Sequence, residues 1–219
     1  MKLIRYIEQR YVDSFFATGE LLLTTYQKCR QHEDAVRRDT REGKFNFHIE
    51  SNGYAVSVIQ TSGDRSYMLC TSLIEDPALA RYFGVNGCIK IIDHAAFFDE
   101  VSAVIPGIES SRLGACEYVA ERAKSILTTA PIQPNGDKLL AAVASGLHDD
   151  IEKLYYEMHN DFSRRVQDHL SNEGYFAKPK VFQSEVEFRM IWTIDQPVVA
   201  GRVVRCPGAI QYCEPGVFS

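Results

Sequence analysis

The chain has 219 residues, of which 45% are hydrophobic and 24% charged, and its formal charge is −5. These proportions describe a globular protein with enough chain to bury a sizeable core. They exclude a low-complexity tail or a membrane-spanning apolar run, and the negative balance argues against broad, non-specific binding to nucleic acid. The opening residues carry no signal-peptide apolar segment. None of the six cysteines (29, 70, 88, 116, 206 and 213) forms a C-x-x-C pair. Reduced thiols and a cytoplasmic location are therefore expected.

In chain order, "KLIRYI" (2–7) reads as a short strand with Arg5 inside it. "EQRYVDSFFATG" (8–19) reads as a helix stopped by Gly19, with Tyr11, Phe15 and Phe16 as its apolar stripe. "ELLLTT" (20–25) is a strand. "RQHEDAVRRDTREG" (30–43) is a polar helix or an ordered loop, with pairs such as Glu33–Arg37 and Asp34–Arg38 at helical spacing. "KFNFHI" and "YAVSVIQT" form a hairpin turned at Asn52-Gly53. "YMLCTSLI" (67–74) and "GCIKIID" (87–93) are strands, "HAAFFDEVSAVI" (94–105) is a helix, and "LGACEYV" (113–119) is a further strand. From 137 to 170 the apolar residues recur at helical spacing, through Leu140, Leu147, Leu154, Phe162 and Leu170. A loop, the strand in "FQSEVEFRMIW" (182–192), the segment "VVAGRVVRC" and a tail complete the chain. With no repeat and no linker, this is one α+β domain, 1–219.

The strand in "FQSEVEFRMIW" carries Val186, Phe188, Met190 and Trp192 on one face, and Glu185, Glu187 and Arg189 on the other. The charged face is either solvated surface or the wall of a cleft. No histidine pair has metalloprotease spacing, and neither a phosphate loop nor a G-x-S-x-G motif is present. No metal site is expected.

Three stretches taken together resemble the ADP-ribosyltransferase fold: an arginine on an early strand ("LIRYI"), a Ser-Thr-Ser-like strand ("YMLCTSLI", with Cys70-Thr71-Ser72) and E-x-E near a late strand ("QSEVEFRMIW"). The layout is also similar to that of a group of bacterial proteins, through segments 11–24, 37–43, 70–72, Phe83-Gly84 and 185–189. Cys70 stands where the pattern has its first serine. The helical stretch, approximately 137–171, would be an insertion before the last strands in a mixed β core of short strands.

The resemblance implies an NAD-dependent mono-ADP-ribosyltransferase. Glu187 would stabilise the ribose cation and Glu185 would act on the acceptor. Arg5 would hold the diphosphate, Thr71 and Ser72 would support the strand or the ribose, and Tyr67 or Tyr82 would stack on nicotinamide. Arg38, Asp39 and Glu42 would contact phosphate or acceptor. The acceptor class stays open among protein, nucleic acid and small molecule. If it is a nucleic acid, Arg37, Arg38, Arg41 and Lys44 are the expected basic patch. Analogy with the fold suggests a toxin or anti-phage effector, with an antitoxin or other regulatory partner. Two other classes remain open. One is a metal-dependent nuclease or hydrolase using Glu185, Glu187 and Asp39 or Glu42. The other is a non-catalytic module docking through the long helix.

Overall fold

The computed structural model describes residues 1–33, 38–51, 54–127 and 173–218. The expected insertion 137–171, the Asn52-Gly53 turn, Asp34 and Arg37 lie outside the described residues. The chain is α+β and its sheets are mostly antiparallel. It divides into two compact units, one comprising Met1–Gly43, Thr61–Glu121 and Tyr175–Ser219, the other Lys44–Gln60 and Arg122–Gly174.

The first unit is built on an eight-stranded sheet of β1 (Leu3–Ile7), β2 (Glu20–Thr25), β5 (Ser66–Ser72), β6 (Gly87–Ile91), β7 (Ile108–Ala115), β11 (Glu187–Ile194), β12 (Arg202–Arg205) and β13 (Cys213–Val217). Strand β11 pairs antiparallel with β7 along one edge and with β5 along the other, from Glu187 opposite Ser72 to Thr193 opposite Ser66. The remaining edge of β5 is shared. Thr24 and Thr25 of β2 pair with Met68 and Tyr67, while Ile4 of β1 pairs with Ser72. The sheet therefore forks at β5 into a β2–β12 branch and a β1–β6–β13 branch. Of the stretch after "VVAGRVVRC", expected as a short tail, the structure makes Pro207–Tyr212 a 3-10 turn and Cys213–Val217 an edge strand.

Two of the helices, α1 (Gln9–Thr18) and α4 (His94–Ala103), cover one face of this sheet. Helix α1 (Gln9–Thr18) ends where Gly19, at φ 77°, donates its N–H to Phe15 O. Its buried stripe is Val12 and Phe15, whereas Tyr11, expected to be buried, is about half exposed. Helix α3 (Pro77–Phe83) starts at the Asp76 cap with Pro77 in its first turn, and α4 (His94–Ala103) starts at the Asp93 cap. Phe15 and Phe97 pack on Leu21, Leu69, Ile89, Met190 and Trp192, and Trp192 stacks on Phe98 at 5.1 Å. Burial of each such side chain contributes roughly 1.5–3 kcal/mol.

The opposite face of β5 and β11 is covered by Tyr26, from the short helix α2 (Tyr26–Arg30), together with Tyr175 and Phe176. Tyr26 is clasped between two glycines. A Cβ on Gly43 (φ 72°) would lie 2.7 Å from the ring, and one on Gly63 (φ 87°) 2.0 Å from it. Both positions also need the left-handed backbone that only glycine adopts cheaply. Ser62 donates its N–H to Gly43 O, which closes this neck. "LGACEYV" is not one strand: it breaks at Cys116, after which β8 (Glu117–Val119) pairs in parallel with β10 (Ala177–Pro179).

In the second unit, β3 (Lys44–Ser51) pairs in parallel with β9 (Ala123–Leu127) in a three-stranded sheet completed by β4 (Tyr54–Thr61). All six cysteines are free thiols. No helix among the described residues is long and apolar enough to cross a membrane.

Candidate functional site

The fork in the sheet opens a cleft of about 270 Å³. Each branch contributes a wall: Arg5 and Tyr6 from β1, Leu22 and Thr24 from β2, and Cys70, Thr71 and Ser72 from β5. Glu42, Lys178, Glu185 and Glu187 line it as well. Six residues singled out from the sequence (Arg5, Glu42, Thr71, Ser72, Glu185 and Glu187) thus meet in one place.

The local backbone differs from the sequence expectation. Strand β11 starts at Glu187, and Glu185 ends the 3-10 turn Lys180–Glu185. Val186 between them is left-handed, at φ 43°, and it is the one non-glycine residue with positive φ among the described residues. A β-branched residue there carries backbone strain. The neighbourhood holds it in place: Ser72 Oγ donates to Glu185 O (2.7 Å), Leu73 N–H to Val186 O (2.9 Å) and Val186 N–H to Gln183 O (3.2 Å). On the other side Tyr118 Oη accepts from Glu187 N–H (2.7 Å), and Cys116 N–H donates to Glu187 O. Thr71 Oγ1 donates to Phe188 O. Thr71 and Ser72 therefore act on the backbone that presents the two glutamates.

The charged face is a buried wall. Glu185, Glu187 and Arg189 are 7%, 4% and 0% exposed. Lys178 on β10 donates through Nζ to both Glu185 Oε2 and Glu187 Oε2, and sits 5.0 Å from the Phe182 ring. Arg189 Nε donates to Glu187 Oε1 (2.7 Å), and Nη1 donates to Tyr175 O (2.7 Å) and lies 3.0 Å from Glu42 Oε1. Arg30 Nη1 donates to Glu42 O, tying down the segment that carries this third carboxylate. Three carboxylates thus face two cations in a space largely closed to water.

The two central glutamates differ in acidity. Burial raises the proton affinity of Glu187, but the guanidinium of Arg189 and then the ammonium of Lys178 outweigh it, so this carboxyl lies well below the ordinary range. Among the described residues, Glu185 has Lys178 as its one ion-pair partner. Burial dominates, the charge of Glu187 adds to it, and its carboxyl lies above the ordinary range. The thiols nearby are held protonated: burial pushes Cys29 up to about 12 and Cys70 well above its usual value. Neither has the thiolate character of a nucleophile at neutral pH.

Other expected residues fall elsewhere. Tyr67 is in the main core, opposite Trp192, because its position on β5 points it to the apolar face. Tyr82 is exposed on α3 and packs edge-on against Phe83, and it is Phe83 and Tyr6 that reach the cleft. Of Arg38, Asp39 and Glu42, Glu42 alone lines it. Arg38 is exposed, and Asp39 is buried in a turn, where its Oδ1 accepts from Arg41 N–H. Val186 is not a member of the apolar face of β11.

Sequence reading missed Lys178, Tyr6, Cys29 and His32 on the cleft. Nothing in "FAKPK" signals a buried lysine. The aromatic of Phe83-Gly84 did stand out in the sequence, but as a layout marker and not as a site residue. Among the described residues no group of three or more His, Cys, Asp or Glu side chains is placed to hold a metal ion. No family profile, curated protein or solved structure matches the chain.

Proposed function

We propose that this chain is an NAD-dependent mono-ADP-ribosyltransferase that works in the forked cleft. The observation that carries the reading is convergence. Arg5, Cys70-Thr71-Ser72 and Glu185/Glu187, far apart in sequence and in the order the resemblance requires, line one cavity.

The chemistry suits the charges. Breaking the bond between nicotinamide and ribose leaves its electron pair on the nicotinamide nitrogen and a positive charge on the ribose ring. In this reading Glu187, an anion fixed by two cations, stabilises that charge without reorganising. Glu185, with raised proton affinity, accepts the proton that the acceptor loses as its lone pair bonds to the ribose carbon. Arg5 takes the diphosphate, and Phe83 or Tyr6, which line the cleft, takes the stacking role that the resemblance implies for Tyr67 or Tyr82. The acceptor remains a protein, a nucleic acid or a small molecule, and a bacterial toxin or anti-phage setting in the cytoplasm rests on the resemblance. The metal-dependent alternative is less well supported, because the ammonium of Lys178 stands between the two carboxylates that would ligate the ion.

The test is nicotinamide release from labelled NAD by purified protein, with a lysate supplying acceptors. Glu187→Gln should lower release by at least about 100-fold while keeping the fold. Undiminished release by that variant, or none from folded wild type, would overturn the reading.

A further inference from the structure

We propose that Lys178 is a positioning residue that sets the two carboxylates of the cleft to different tasks, keeping Glu187 as a fixed anion and leaving Glu185 as the group that takes up a proton. The nature of the reaction rests on the reading above; the division between the carboxylates rests on the contacts themselves.

An ammonium offers three donors. Lys178 directs two of them to Glu185 Oε2 and Glu187 Oε2, and the ring of Phe182 lies beside it. Its backbone has little freedom, since β10 is paired with β8 and Lys178 lies opposite Tyr118. Tyr118 in turn accepts from Glu187 N–H. One two-stranded element therefore fixes both the cation and the backbone of the anion.

The sharing is unequal. Glu187 meets Lys178 on Oε2 and Arg189 on Oε1, whereas Glu185 meets Lys178 only among these cations. The groups facing Glu185 are Lys178 from β10, Glu187 and Arg189 from β11, and the Ser72 hydroxyl from β5, which takes its backbone carbonyl. Glu42 stands behind Arg189. Without Lys178, Glu185 is left beside the negative charge of Glu187 with no ion pair of its own among the described residues, and its proton is then released only at higher pH. A lysine serving the fold alone would leave the acid limb of turnover where it is, because no group that exchanges a proton in the reaction would sense its charge.

The experiment is a carbon-detected NMR titration of the full chain labelled at glutamate, with Glu185→Gln assigning the resonance. In Lys178→Met the Glu185 carboxyl should titrate at higher pH than in wild type, and Lys178→Arg should bring it back toward the wild-type midpoint. The acid limb of nicotinamide release should move the same way, lowering release at the acid end by at least about tenfold, the equivalent of one pH unit. If Lys178→Met does not fold, wild type carries the test: the Lys178 ammonium nitrogen resonance should shift with the same midpoint as the Glu185 carboxyl. An unmoved Glu185 midpoint in folded Lys178→Met, or a Lys178 resonance indifferent to protonation of Glu185, overturns the proposal. Since the titration needs no turnover, absence of NAD cleavage would overturn the transferase reading and leave the role of Lys178 to be decided by the NMR result.

Discussion

The two faces of β5 and β11 are buried to a similar degree by opposite means. On one, Phe188, Met190, Trp192 and Leu69 pack against Phe97, Phe98 and the α1 side chains, and non-directional apolar burial does the stabilising. On the other, Glu187 and Arg189 are just as inaccessible, but each is held by named partners: Lys178, Glu42 and the Tyr175 carbonyl. The first face tolerates changes of shape that conserve volume. The second is stable only while its charges are matched, because a buried ion without a partner costs far more than a misplaced methyl group. Stability alone does not explain such a face, since replacing a buried ion pair by apolar residues is often neutral or favourable.

The comparison can be broken most directly at Arg189. Arg189→Met leaves Glu187 and Glu42 without their shared guanidinium, and a loss of about 3–5 kcal/mol is expected by urea denaturation. A loss below about 1 kcal/mol would mean that water reaches this face, and the contrast would fall. Ser72→Ala should cost about 1–3 kcal/mol, because the buried carbonyl of Glu185 and the N–H of Ile74 lose their partner. On the apolar face Met190→Leu should cost less than about 1.5 kcal/mol, whereas a swap of comparable modesty on the other face, Arg189→Lys, loses the planar fork that reaches Glu187, Glu42 and Tyr175 together. A calorimetric comparison of these two variants sharpens the contrast.

The smallest effect is one of sign. The carboxyl of Glu187 is depressed, so its contribution to stability is present above the ordinary glutamate value of about 4.3 and lost as pH falls through its folded value. That of Glu185 is raised, so its contribution is present below the ordinary value and lost as pH rises through the folded one. Hence the stability gap between wild type and Glu187→Gln should close as pH falls from 7 toward about 3. The gap between wild type and Glu185→Gln should move the other way. Denaturant midpoints of the three proteins across that range decide it, and gaps moving in the same direction would contradict the unequal pairing.

Much of the first unit is legible in local pattern. The strands at 2–7, 20–25 and 87–93 and the helices at 8–19 and 94–105 coincide with observed elements because periodicity, Asp caps and a terminal glycine are local signals. The alternation of Phe188, Met190 and Trp192 identified the core face of β11 for the same reason. Where a second strand, a strained residue or a cover was needed, local pattern failed. Cys213–Val217, with Pro and Gly in its middle, reads as a tail, and becomes a strand because β6 offers an edge. Tyr67 looked available for stacking, and pairing with β11 turns it into the core.

The sequence by itself determined that the protein is α+β, that β11 has one apolar face, and that Arg5, Thr71-Ser72 and the two glutamates are worth watching. These follow from residue type and spacing, which act over a few positions along the chain. Tertiary structure alone decided that the charged face is buried, that Lys178 joins Glu185 to Glu187, and that Glu42 stands behind Arg189. Burial and ion pairing depend on which distant segments cover a surface, and here Tyr26, Tyr175 and β10 arrive from both ends of the chain to take two carboxylates and their cations out of water.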